Sequence, residues 1–431
     1  MRARRLVKAT ITAVAAAALG VMAMSAQAAT EAQKRAAIDS GLAYLALQQQ
    51  GDGRWVYSGG VEDAASTGSA LLAFLEEKPN WGANAVAYQA IVDKGLSFLF
   101  SQATVVNIVP QTYGNPDTNA NGIGVKFVPG GINGRDTYVT GLVLPAIAKA
   151  AAENPAAVVG TGSQAGRTYA QVVQDTIDYF AYGQNENVNA RGGWRYSANS
   201  GDSDNSTAQW PVIGMLYGQA VQGVTVPTFV KNELRVWIDF IQCPSNGGSG
   251  YNAACGGDVN VNEAKTGGLL AEMAFAGYNG TSTGPTDKSD KAGALAYLNS
   301  NWKNFANSTW DGNFNHPYAM WATYKGLETT IGLDDTTTIT NLLTTCGTMD
   351  AGDVCNWFED YAEWLVGNQN SNGSWNGVSS WGSALATPWF INILAATQIP
   401  DDDNGVPAPG TAALAGLALI GLAASRRRKT G

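Results

Sequence analysis

The chain has 431 residues, of which 45% are hydrophobic and only 14% charged, with 51 glycines. The two terminal segments hold eight basic side chains and no acid, which leaves 18 Lys+Arg against 35 Asp+Glu for the rest. A body that acidic repels nucleic acid and anionic lipid, so neither is expected as a partner.

In chain order, residues 1–28 read as a secretory signal peptide. Basic MRARRLVK is followed by apolar ATITAVAAAALGVMAM and by the small-residue site Ala26-Gln27-Ala28. Next comes a recurring skeleton of aromatic, aliphatic, three residues, Gln, three residues, Gly, any residue, Trp. YLALQQQGDGRW supplies Tyr44, Leu45, Gln49, Gly53 and Trp55. GLSFLFSQ keeps Phe98 and Gln102 before a long insertion reaching Gly130-Gly131. YFAYGQNENVNARGGW carries Gln184, Gly192 and Trp194, and WIDFIQCPSNGGSGY carries Gln242 and Tyr251. In YLNSNWKNFANSTWDGNF, Trp302 stands where Gln is expected, and WLVGNQNSNGSW restores the full form with Gln369, Gly373 and Trp375.

A second apolar run follows each copy, four of them with Thr-Gly or Thr-Ala near the start, at Thr67, Thr140, Thr207 and Thr266. The first run of each unit is apolar at helical spacing and the second is apolar on nearly all sides, which predicts one half-exposed and one buried helix. Six such pairs over residues 30–398 predict an all-α, closed (α/α)6 toroid. An open solenoid would need polar terminal caps, whereas here the cleanest copies are the first and last, as if they meet.

Acids precede the buried runs: Glu62 and Asp63, Asp136, Asp202 and Asp204, and Glu263. They read either as an acid cluster at a cavity mouth or as helix caps, which Asp provides well. Asn205 and the single histidine, His316, occupy similar places. One histidine is too few for a metal centre, so no metal and no cofactor are expected. The cysteines fall in two close pairs, and in an oxidising compartment Cys243–Cys255 and Cys346–Cys355 are the expected disulfides, one of three connectivities.

The chain ends, after a linker that begins near residue 399, with Val406-Pro407-Ala408-Pro409, an apolar run from Thr411 to Ala424, and Arg426, Arg427, Arg428 and Lys429. This resembles the PEP-CTERM sorting tail of Gram-negative bacteria, with Ala in place of the usual Glu. The resemblance implies export across the inner membrane, to the periplasm, cell surface or medium, with an exosortase-type processing enzyme as a partner. A plain C-terminal anchor is the alternative.

The Gln and Gly-x-Trp skeleton resembles the QW motif of squalene and oxidosqualene cyclases and the repeats of protein prenyltransferase β subunits. That resemblance implies a structural role for Gln49, Trp55, Gln184, Trp194, Gln369 and Trp375, with the glutamine bonding backbone at a helix end and the tryptophan stacked over it. Squalene–hopene cyclases donate a proton from Asp-x-Asp-Asp-Thr-Ala; aligned on Thr207-Ala208, this chain has Asn205 at the acid position, and Asp202 and Asp204 fit only with an extra residue. Prenyltransferases hold zinc through Asp, Cys and His, and here no unpaired cysteine accompanies His316. The expected function is therefore a central cavity binding an apolar or extended ligand, without the usual cyclase or zinc residues. A glycan-binding or glycan-cleaving surface protein, using aromatic platforms and paired acids, is the alternative, and a divergent cyclase using Asp202 and Asp204 the second.

Overall fold

The computed structural model describes residues 29–60, 62–128, 134–255, 261–278, 290–306, 310–344, 354–378 and 380–400. The signal segment, nearly all of the sorting tail and Cys346 lie outside these residues. Twelve helices follow one another as six pairs: α1 (Glu31–Gln48) and α2 (Asp63–Glu76), α3 (Ala85–Gln102) and α4 (Asp136–Glu153), α5 (Tyr169–Gly183) and α6 (Asn205–Gly218). The second half continues with α7 (Thr228–Ile241) and α8 (Glu263–Phe275), α9 (Lys291–Asn301) and α10 (Pro317–Thr330), α11 (Trp357–Gly367) and α12 (Ser383–Leu394). Between α3 and α4 the insertion forms a small antiparallel hairpin, β1 (Thr104–Asn107) and β2 (Ile123–Lys126), in the register Thr104↔Lys126. Its β-branched TVVN explains why this stretch leaves the helical pattern.

The even-numbered helices form the inner ring. In α2 every residue from Asp63 to Leu75 is buried, whereas α1 buries only one stripe that includes Ile38, Leu42 and Leu45. Each inner helix packs on the next, and α12 packs on α2, so the ring closes. The all-α closed toroid expected from the repeat is the observed architecture. Small residues set the spacing of the inner helices. A Cβ on Gly68 would come within 2.7 Å of Leu142 O on α4, and one on Gly267 within 2.5 Å of Thr323 on α10. The adjoining threonines tie each loop to its inner helix: Thr67, Thr266 and Thr387 accept the N–H of Trp55, Ser249 and Trp375 at 3.0–3.1 Å.

The repeated glutamines fasten neighbouring units. Nε2 of Gln49 donates to Gly53 O and to Ile91 O on α3; Gln184 does the same to Gly192 O and Val230 O on α7. Gln369 donates to Gly373 O at 2.9 Å and to Ala37 O on α1 at 2.8 Å, so the last unit grips the first by the same bond. The motif glycines lie at these seams. Gly192 has φ +87°, and a Cβ there would sit 1.9 Å from Glu233 O; no other residue type fits such a position. Trp55, Trp194 and Trp375 donate Nε1–H to Leu45, Phe180 and Leu365 carbonyls at the ends of their own outer helices. That satisfies the indole N–H of each buried ring. In the fifth unit Trp302 replaces the glutamine and reaches Asp360 on α11 at 2.6 Å.

The hub is filled. Trp321, Trp389 and Trp210 stack in succession, with centroids 6.4 and 5.7 Å apart and planes within 16°. At the C-terminal end of the inner helices the chain after α12 closes the base. Thr397 O accepts from Tyr324 O–H and from the buried Lys325 Nζ, and Ile399 N–H donates to Glu328 at 2.8 Å. Burial pushes the Lys325 ammonium down and the Glu328 carboxyl up, each opposed by the other's charge.

The expected Cys243–Cys255 disulfide is not formed here. Cys243 is buried, with Sγ 3.1 Å from Ser245 Oγ, and Cys255 is exposed.

Candidate ligand cavity at the ring mouth

At the N-terminal end of the inner helices the packed hub gives way to a partly open cavity of about 100 Å³. Six aromatic residues line it: Tyr57, Tyr138, Tyr196, Trp310, Tyr318 and Trp381. Tyr138 sits on α4 and Tyr318 on α10; the others come from loops that enter the inner ring. Tyr318 stacks on Trp381 at 5.2 Å and 15°, while Trp310 meets Trp381 edge-on at 5.1 Å and 84°. Tyr138 and Tyr196, also in the lining, lie 6.4 Å apart at 60°. The polar part of the lining includes Glu62, Arg135 and Ser206, with Arg135 Nη1 3.0 Å from Glu62 Oε1. Tyr318 O–H accepts 2.6 Å from Gln209 Nε2, which anchors the floor to α6.

The acids read from the sequence stand around this cavity in other roles. Asp204 is fully buried and caps α6, accepting from Thr207 N–H at 2.9 Å and from the Ser206 hydroxyl, with Arg195 at 3.1 Å. Burial raises its pKa, while the Ser206 hydrogen bond and the Arg195 charge oppose the rise. Ser206, not Asp204, reaches the cavity wall. Asp202 is largely exposed and lies 3.5 Å from Arg195. Asn205 is completely buried: its Oδ1 accepts from Trp237 Nε1, and its Nδ2 donates to Ser249 and to Lys265 O.

Asp63 accepts from three successive loop amides, those of Tyr57, Ser58 and Gly59, at 2.8–3.2 Å, and so shapes the loop that carries Tyr57. Asp136 is buried between Lys126 at 3.0 Å and the Tyr179 hydroxyl at 2.8 Å. Glu263 accepts from Asn304, and burial pushes its pKa up. His316 is fully buried as the cap of α10, its Nδ1 accepting from Ala319 N–H at 3.3 Å, with its ring 5.1 Å from Trp381. The structure therefore brings Asp63, Asp204 and His316 beside the cavity as supports of its walls. Among the described residues no group of three or more His, Cys, Asp or Glu could hold a metal ion.

No protein-family model and no curated protein matches the chain. Solved structures do. The chain is similar to the type II terpene cyclase MstE from Scytonema, in a variant bound to merosterolic acid A, at 13% identity and a TM-score of 0.44, covering 85% of this chain and 97% of that one. The ligand-free form of MstE gives 13% identity and 0.43 over 85% and 98%, and a protein from Actinoplanes 13% and 0.40 over 84% and 98%.

The cavity aromatics were not singled out by the sequence reading, although they follow a rule. Tyr57 and Tyr196 each come two residues after a motif tryptophan, Trp55 and Trp194. Tyr138 and Tyr318 each come two residues after the first polar group of an inner helix, Asp136 and His316. A larger open groove, about 580 Å³, runs outside the ring between Arg54, Asp63, Phe98 and Gln102, but with only one aromatic in its lining.

Proposed function

We propose that this is an exported ring protein whose mouth cavity takes the compact end of an extended ligand, the remainder of which lies outside. The six-ring lining of the cavity carries this reading. At about 100 Å³ the space is below the several hundred Å³ of a site that swallows a whole drug-sized ligand. It is also smaller than the ~150 Å³ that holds a benzene ring, so a branched chain end fits better than a sugar ring. Asp204, committed to Thr207, Ser206 and Arg195, lends no support to alkene protonation, and no catalytic step is assigned.

Export and processing by an exosortase-type enzyme rest on the residues at 1–28 and 406–429. No helix among the described residues is long and apolar enough to cross a membrane.

The test is thermal shift and tryptophan fluorescence of the purified mature chain against farnesol and against an acidic oligosaccharide. Farnesol is expected to raise the melting temperature and to change the emission, and Trp381→Ala to abolish both effects. A response to the oligosaccharide alone would favour the glycan reading, for which the Glu62–Arg135 rim and the phenols speak.

A further inference from the structure

We infer that the end group this cavity prefers is a cation, a methylated ammonium held in an aromatic box. The inference rests on the cavity reading above and names the chemistry of its ligand.

Three observations carry it. Two ring pairs of the lining meet at steep angles, 84° between Trp310 and Trp381 and 60° between Tyr138 and Tyr196, while Tyr318 lies flat on Trp381 at 15°. Rings inclined to one another can meet a compact tetrahedral group with more than one face, whereas a flat sugar is met by a flat platform. Aromatic faces carry the negative part of the ring quadrupole, and a cation within about 6 Å of several faces is attracted by each. An uncharged group of the same shape gains only apolar contact.

The rim supplies the countercharge. Glu62 is the one acid in the lining and Arg135 the one basic residue. Arg135 has 59% of its side chain exposed, against 24% for Glu62. A pair so open to water holds weakly. An incoming ammonium can take the place of the guanidinium beside Glu62 while Arg135 turns outward, where water screens it. The excess of acids over bases across the body favours the approach of a cation in the same sense.

The experiment is calorimetric titration of the mature chain with choline and with its uncharged carbon isostere, dimethylbutanol. The two share size and shape and differ in charge. Choline is expected to bind at least about tenfold more tightly. Glu62→Gln should reduce that preference by weakening choline alone. Trp310→Leu, at a half-exposed position, should narrow it several-fold with an unchanged circular dichroism spectrum. Equal or tighter binding of the isostere overturns the cation proposal and leaves the cavity reading standing. Binding of neither, with farnesol also silent, sinks both.

Discussion

Replacing Gln369 by alanine tests whether the ring is closed by the same bond that joins its other units. Its Nε2 is shared between Gly373 O and Ala37 O, at 2.9 and 2.8 Å. Each hydrogen bond contributes about 1 kcal/mol net, and a carbonyl left without a donor adds some desolvation cost. Gln369→Ala should therefore lose about 2–3 kcal/mol. Gln369→Glu should lose more, because a carboxylate would face two carbonyl oxygens. Gln102 provides the control. It occupies the same place in the second unit but, among the described residues, its amide donates to Ser101 Oγ alone, so Gln102→Ala should stay within about 0.5 kcal/mol. Urea unfolding followed by circular dichroism and by tryptophan emission reads the difference as a shift of midpoint at constant slope. If Gln369→Ala and Gln102→Ala unfold together, the seam carries no free energy and the closure reasoning is wrong.

Gly192→Ala, whose Cβ would meet Glu233 O at 1.9 Å, should cost about 3 kcal/mol or more by the same assay. Gly166→Ala, at φ +86° with nothing within 4 Å, should cost only the ~1 kcal/mol of a left-handed backbone. Asn205→Asp would place an acid at the head of α6 yet lose both donated hydrogen bonds and face Lys265 O; it should destabilise by about 2–4 kcal/mol and leave farnesol without turnover, which product analysis by mass spectrometry checks.

Burial holds the Asp178 carboxyl up at about 7 from an ordinary 3.8, against hydrogen bonds from Thr118 and Gln174 that favour the ion. The folded state thus binds this proton more tightly than the unfolded one. Its contribution is complete below pH 3.8 and is lost as pH rises through about 7, by up to ~4 kcal/mol. Asp178→Asn should flatten that fall between pH 4 and 8, as measured by denaturation at each pH.

The ring was legible because its periodicity is enforced by chemistry that leaves few substitutes. A glutamine that must donate to two carbonyls, a glycine pressed on a neighbour's backbone and a tryptophan that must place its N–H recur wherever a seam recurs. The second unit, where Gln102 makes no seam, is the one whose skeleton is most decayed. The cavity was less legible. The position of its tyrosines, two residues after a motif tryptophan or a helix-start group, gains meaning only when loops from distant units converge. Asp63, Asp136 and Asp204 look alike in sequence whether they cap or catalyse, and only their partners separate the two. The cysteine spacing at 243 and 255 fixed proximity, not the bond.

The sealing of the base by Thr397 and Ile399 has a consequence for orientation. The polypeptide departs toward residue 400 from the floor of the doughnut, while Tyr57, Trp310 and Trp381 sit at its ceiling. The described chain thus ends on the closed side, and the aromatic opening occupies the face turned away from it.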